Sequence, residues 1–140
     1  MDADVSIERS PTPSNATLLQ GYEWNVPTDH KHYQRLHDAL PGLEAVGISN
    51  IWLPPGCKAS SPEGNGYDIY DLYDLGEFGQ KGGKPTKFGP KEDLAKLAEK
   101  ARELGVGLHW DAVLNYKAGA DEKEKCMAVE VDGNGKTESS

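Results

Sequence analysis

The chain is short of cysteine, of basic residues relative to acids, and of long apolar runs, and each shortage removes a class of protein. Only Cys57 and Cys126 occur, far apart and in no metal-ligand spacing. A disulfide scaffold and a cysteine zinc site are therefore set aside, and two thiols in a reducing compartment are expected. Lys and Arg number 15 against 23 Asp and Glu, a formal net charge of −8. Phosphate backbones are bound by clustered positive charge, so no nucleic-acid partner is expected. No stretch approaches the roughly 20 apolar residues of a membrane span, which argues against a membrane partner. The opening Met1–Glu8 has neither the basic nor the apolar region of a secretion signal. The expectation is a cytoplasmic protein whose Asn15-Ala16-Thr17 sequon carries no glycan and whose ligand is neutral or weakly charged.

What is present is loop-forming sequence around a modest core. The 140 residues suit one domain, 36% are hydrophobic, and there are 16 glycines and 9 prolines. Residues 1–14 are polar, with Pro11 and Pro13, and read as a loose tail. Thr17–Trp24 reads as a short strand ending in polar and aromatic groups. From about His32 the pattern is helical, with Tyr33, Leu36, Leu40 and Leu43 on one stripe. Pro41 lies inside that stripe and is expected to kink or split the helix. Ile48–Pro55 is a second, apolar strand closed by two prolines.

Residues 56–88 form a long irregular connection, a length that is usually functional or disordered. The second helix has the clearest signals. Pro90 is expected at its first position, Glu92 and Asp93 suit the positive end of the helix dipole, and Gly105 ends it. Leu94, Leu97, Ala98, Ala101 and Leu104 would be its buried stripe, with Glu92 and Lys96 paired on the outside. Val106–Asn115 alternates and reads as a third strand. Val106, Leu108, Trp110, Ala112 and Leu114 would pack under helices, while Asp111 and Asn115 share the other face about 13 Å apart. Burying Asp111 is costly unless it is paired, so that face is expected to meet a polar site.

Strands alternating with helices imply an α/β fold with parallel strands, and ligands in such folds gather at the C-terminal strand ends. Those ends carry Gln20, Glu23 and Trp24, then the tyrosine-rich loop, then Asn115 and Tyr116. In Gly66–Phe78 tyrosines and acids each recur every three residues, and three readings stand side by side. Tyr67 and Trp24 could offer aromatic faces to a sugar ring; Asp68, Asp71 and Asp74 could hold a cation; or tyrosines pack the loop and acids cap its turns. The acid spacing lacks the glycine and glutamate of a helix–loop–helix calcium site. His30, His32, His37 and His109 show no ligand spacing, and Gly79–Lys84 only superficially resembles a phosphate loop.

Four stretches in fixed order resemble the N-terminal part of the α-amylases, closest to the liquefying bacterial type and its signal-less fungal relatives. They are Leu19-Gln20-Gly21-Tyr22-Glu23-Trp24, Ile51-Trp52-Leu53-Pro54-Pro55, Gly66–Phe78 and Asp111-Ala112-Val113-Leu114-Asn115. The likeness runs from about residue 15 to 132 and includes Ala128–Asp132. It implies a (β/α)8 TIM barrel, present here as about three strands and two helices over residues 15–117, with 118–140 beginning a second-domain insertion. It implies an α-1,4-glucan such as starch or glycogen as partner. Tyr67 would stack on the sugar beside the scissile bond, Gln20 and Trp24 would line the cleft, and Asp111 would support it from within. Asn115 would help to hold a structural calcium ion. Tyr116 stands where the family carries a sugar-binding histidine. The family's nucleophile and acid/base carboxylates belong to later strands, and no acid here matches them; a barrel typically needs about 250 residues. The chain is thus expected to be an N-terminal piece of a glucan endo-hydrolase without catalytic residues, inactive alone. The competing expectations are a non-enzymatic glucan-binding module or pseudoenzyme, and an unrelated α/β domain.

Overall fold

In a computed structural model, residues 15–118, 120–122 and 125 are described. The tail 1–14, Cys126, the Ala128–Asp132 stretch and most of the proposed insertion lie outside them. The elements in order are β1 (Leu18–Gln20), α1 (His32–Ala45), β2 (Asn50–Trp52), β3 (Lys58–Ala59), β4 (Ile69–Asp71), α2 (Lys91–Leu104) and β5 (Gly107–His109). Strands β1, β2 and β5 form one sheet in that order. Both pairings are parallel, with Leu19 opposite Ile51 and Ile51 opposite Leu108. The alternation of strand and helix is as expected from the sequence, because parallel neighbours cannot be joined by a tight turn.

The core lies between this sheet and the two helices. Ile51 of the central strand and Leu53 just after it meet Tyr33, Leu36 and Leu40 of α1 and Leu94, Leu97 and Ala101 of α2. Ile51, Tyr33, Leu40 and Leu97 are wholly buried, while Leu18 on the outer strand is 55% exposed. Burial therefore peaks where a strand has neighbours on both sides. Gly105 closes α2 in the left-handed conformation at φ 71°, and its N–H bonds back to the last turn.

Several expectations are corrected. Helix α1 is not split: it continues through Pro41 to Ala45. Pro41 is exposed, so the carbonyl that its ring leaves without a helical donor sits on the solvent side. Pro90 is the residue that caps α2 rather than its first helical position. Ala98 is exposed, outside the buried stripe. Lys96 pairs with Asp93 at 3.5 Å, and Glu92 faces Lys84 instead.

The third strand is much shorter than its alternation promises, ending at His109. Trp110 is 40% exposed and Leu114 74%, so the supposed buried face does not persist. The reason is the edge: β5 pairs only with β2, which itself ends at Trp52, and nothing holds later residues in a ladder. The proposed shared strand face of Asp111 and Asn115 goes with it. The Trp110 ring instead lies over Gly56, where an added Cβ would stand 2.1 Å from its Cη2.

The 56–88 connection is ordered by a buried ion pair. It contains the antiparallel pair β3–β4, an addition to the three strands read from the sequence. Asp74 is fully buried and its Oδ1 accepts the backbone N–H groups of Gly76, Glu77 and Phe78 at 2.8, 2.9 and 3.3 Å. Its Oδ2 takes the Gln80 amide at 2.7 Å and lies 3.5 Å from Lys58 Nζ. Lys58, also buried, donates to the carbonyls of Gly83 and Lys84. Asp68 and Asp71 likewise accept from turn groups, Ser60 and Tyr73. All three acids thus cap turns of the connection, as one of the readings has it.

Burial alone would raise the Asp74 carboxyl, but its hydrogen bonds outweigh that and hold it below the usual carboxylate range. A depressed folded-state value means stabilisation that is complete above about pH 4 and lost as pH falls through the folded value. Asp74→Asn is expected to cost about 3–5 kcal/mol by leaving Lys58 buried without its partner. It should also flatten the acid limb of a urea-midpoint profile; an unchanged limb would refute the assignment. Separately, the exposed outer strand and the exposed Trp110 and Leu114 predict that the 140-residue chain self-associates. Light scattering after size exclusion should show mass rising with concentration. A concentration-independent monomer with a sharp reversible melt would contradict this.

Candidate functional site

Three segments distant in sequence meet at the C-terminal ends of the parallel strands. Tyr22 follows β1, Tyr67 lies in the long connection after β2, and Asp111 follows β5. Tyr67 Oη donates to Asp111 Oδ2 at 2.5 Å, Tyr22 Oη lies 3.0 Å from the same oxygen, and the two phenols touch each other. Two protons serve three contacts: Tyr67 gives its proton to the carboxylate, and that of Tyr22 is shared between Tyr67 and Asp111. The half-buried Asp111 is thus paired, as its cost of burial required.

Local structure sets each group. Gly66 has φ 86°, and an added Cβ would lie 2.5 Å from the Pro55 carbonyl, so only glycine lets the connection bring Tyr67 this close to β2. The Tyr22 ring packs edge-on against Trp52 at 5.7 Å and against Phe88 at 6.4 Å. Trp24 stacks on Tyr67, centroids 6.0 Å apart and planes 12° from parallel, while remaining 64% exposed. Beside it a groove of about 480 Å³ is lined by Asn25–Thr28, Glu63, Asn65 and Lys87. Burial pushes the phenols of both Tyr67 and Tyr22 upward, and the hydrogen bond to Asp111 adds to it. Both therefore stay protonated as donors at neutral pH.

Of the residues singled out from the sequence, Tyr67, Trp24 and Asp111 come together. Gln20, at the exposed end of β1, turns its amide to the Tyr22 carbonyl at 2.9 Å rather than to the cluster. Asn115 and Tyr116 are exposed and make no side-chain hydrogen bond among the described residues. No group of three His, Cys, Asp or Glu able to hold a metal occurs among the described residues. His30 and His32 bond backbone carbonyls; His32 Nε2 meets that of Gly21 at 2.7 Å, and burial lowers its basicity. Tyr22 was overlooked. Its only signal is an aromatic hydroxyl two residues past a strand end, beside two residues already chosen.

Residues 27–132 match the family model described as alpha amylase, catalytic domain. This chain belongs to the alpha-amylase family. Among curated relatives, the glucan 1,4-alpha-maltohexaosidase of Bacillus sp. (strain 707) is 39% identical over 96% of this chain and 26% of its own length. The alpha-amylase of Bacillus licheniformis is 43% identical over 84% of this chain and 23% of its own. The cytoplasmic alpha-amylase of Escherichia coli (strain K12) is 41% identical over 89% and 25%. The chain thus spans about a quarter of the length of these relatives. An alternansucrase solved with isomaltononaose superposes with TM-score 0.72 at 24% identity, covering 87% of this chain and 11% of that one. A trehalulose synthase, MutB, gives 0.56 at 25% identity over 73% and 17%. The parallel strands and their two helices are part of a (β/α)8 barrel of this alpha-amylase family.

The shared carboxylate makes a measurable claim about this family member. Asp111→Asn removes the negative charge that helps to hold the Tyr67 phenol up. In an ultraviolet titration of phenolate, one tyrosine that ionises late in the wild type should ionise nearer the ordinary value of about 10. An unshifted titration curve would show that the two groups do not interact.

Proposed function

We propose that this chain forms one wall of an α-1,4-glucan cleft in a hydrolase of the α-amylase type. The Tyr22–Tyr67–Asp111 cluster with Trp24 stacked upon it carries the reading. The outer Trp24 face gives an apolar plane for the CH face of a pyranose, and the phenols and carboxylate beside it suit hydroxyls. Gln20 and Tyr116 would meet the sugar further along the cleft. The names of the relatives, maltohexaosidase and amylases, support starch, glycogen or their oligosaccharides as the partner. The cytoplasmic location expected from the sequence draws support from one relative's name. Among the described residues no helix is long and apolar enough to cross a membrane.

By itself this wall binds rather than cleaves. A retaining glycosidase needs two carboxyl groups about 5–5.5 Å apart across the scissile bond, one attacking and one passing the proton. Asp111 instead accepts from two phenols, so its Oδ2 orients the aromatic wall. Asp68, Asp71 and Asp74 of the connection cap turns. Calcium, which the resemblance ascribes to Asn115, takes about six to eight oxygens. Asn115 would supply one, and the described residues alone do not assemble the rest.

Titration calorimetry with maltohexaose is expected to show binding by the 140-residue chain that Tyr67→Ala weakens at least about tenfold, the scale of one lost aromatic platform. Reducing-end release should stay at the level of a heat-killed control. Absence of heat from a folded sample would remove the glucan reading, and release above the control would overturn the inactive one.

A further inference from the structure

A closed ring of hydrogen bonds surrounds the Trp24 carbonyl, outside the cluster described above. Lys87 Nζ donates to Trp24 O at 3.2 Å and to Asn65 Oδ1 at 2.6 Å. Asn65 Nδ2 donates to the same Trp24 oxygen at 3.2 Å. Lys87 is only 5% exposed, yet it enters none of the ion pairs among the described residues. Burying an ammonium among neutral oxygens is costly, so its placement needs a physical return.

That return is the geometry of Trp24. The indole is held on one face, by Tyr67, and its 64% exposure shows how little else confines it. Its backbone lies in the turn between β1 and α1, where no strand ladder fixes it. Lys87, by contrast, sits between firmly held neighbours. Thr86 O takes the His30 ring at 2.7 Å, Thr86 Oγ1 bonds Gly89 O at 2.9 Å, and Phe88 O accepts the Tyr33 N–H at 3.0 Å. The ring therefore ties a loose turn to the starts of both helices through Lys87, and to the loop that carries Tyr67 through Asn65.

We propose that Lys87 and Asn65 are positioning residues that fix Trp24 as a preorganised aromatic wall for a glucan chain. The ligand half of this inference rests on the glucan-cleft reading; the positioning half stands without it. Preorganisation matters because ordering a mobile side chain on binding subtracts from affinity. Removing the ammonium loses two charge-assisted hydrogen bonds at once.

The test is fluorine NMR of the 140-residue chain labelled with 5-fluorotryptophan, which gives one resonance for each of its three tryptophans. Trp24 is assigned by Trp24→Phe, and Trp52 and Trp110 report whether the fold is kept. In Lys87→Met and in Asn65→Val, the Trp24 resonance should move towards its position in urea while the other two stay. Maltohexaose should broaden or shift the Trp24 line in the wild type, with half-saturation at least about tenfold higher in Lys87→Met, the scale of a lost charged hydrogen bond. A Trp24 line that ignores both substitutions, or one already at its urea position in the wild type, overturns the positioning role. If all three lines move in Lys87→Met, Asn65→Val decides, since Asn65 is only half-buried. A Trp24 line that responds to the substitutions but not to maltohexaose upholds the positioning role and rejects the glucan.

Discussion

A single carboxylate oxygen organises the face of this molecule. Asp111 Oδ2 receives Tyr67 and Tyr22, and so joins the segments that leave the C-terminal ends of all three parallel strands. The constraint is mutual. Asp111 follows an edge strand and is tolerable at its depth only because two phenols satisfy it, and the phenols stay protonated because burial and that charge disfavour phenolate. Trp24 stacks on Tyr67, one step further out from the same group.

The long connection between β2 and α2 has a second centre, of opposite character. Asp74 and Lys58 are both withdrawn from water, and between them they accept or donate to backbone groups of six residues, 76–78, 83, 84 and, through Asp74's own carbonyl, 58. Here the pair adds side-chain polar partners to the short β3–β4 ladder, where most of the connection has no strand partner.

Legibility from sequence followed periodicity. The two helices were readable because stripes such as Tyr33, Leu36 and Leu40 recur at helical steps whatever surrounds them. The parallel sheet followed from the alternation of elements. Strand lengths did not, since alternation runs on through Trp110–Asn115 although pairing stops at His109, and pairing depends on a neighbour that no local pattern reports. Pro41 does not divide α1, because a proline on a solvent-facing position costs a helix one hydrogen bond without ending it. At the site, Tyr67 and Trp24 were legible as aromatic faces and Asp111 as a polar group on a strand face, with the resemblance linking them. Tyr22, Asn65 and Lys87 were not, because each acts through a partner at a separation that only the folded chain sets.

The parallel sheet also fixes an order of events. Leu18 must wait for Asn50 before β1 has a partner, and Asn50 must wait for Gly107 before the central strand is flanked on both sides. Every pairing here closes a long loop first, which slows folding relative to a fold built from hairpins. During synthesis, β1, α1 and β2 will therefore stand as an open half-sheet until α2 and β5 have emerged. Over that interval Ile51, wholly buried in the finished core, has a strand neighbour on one side only.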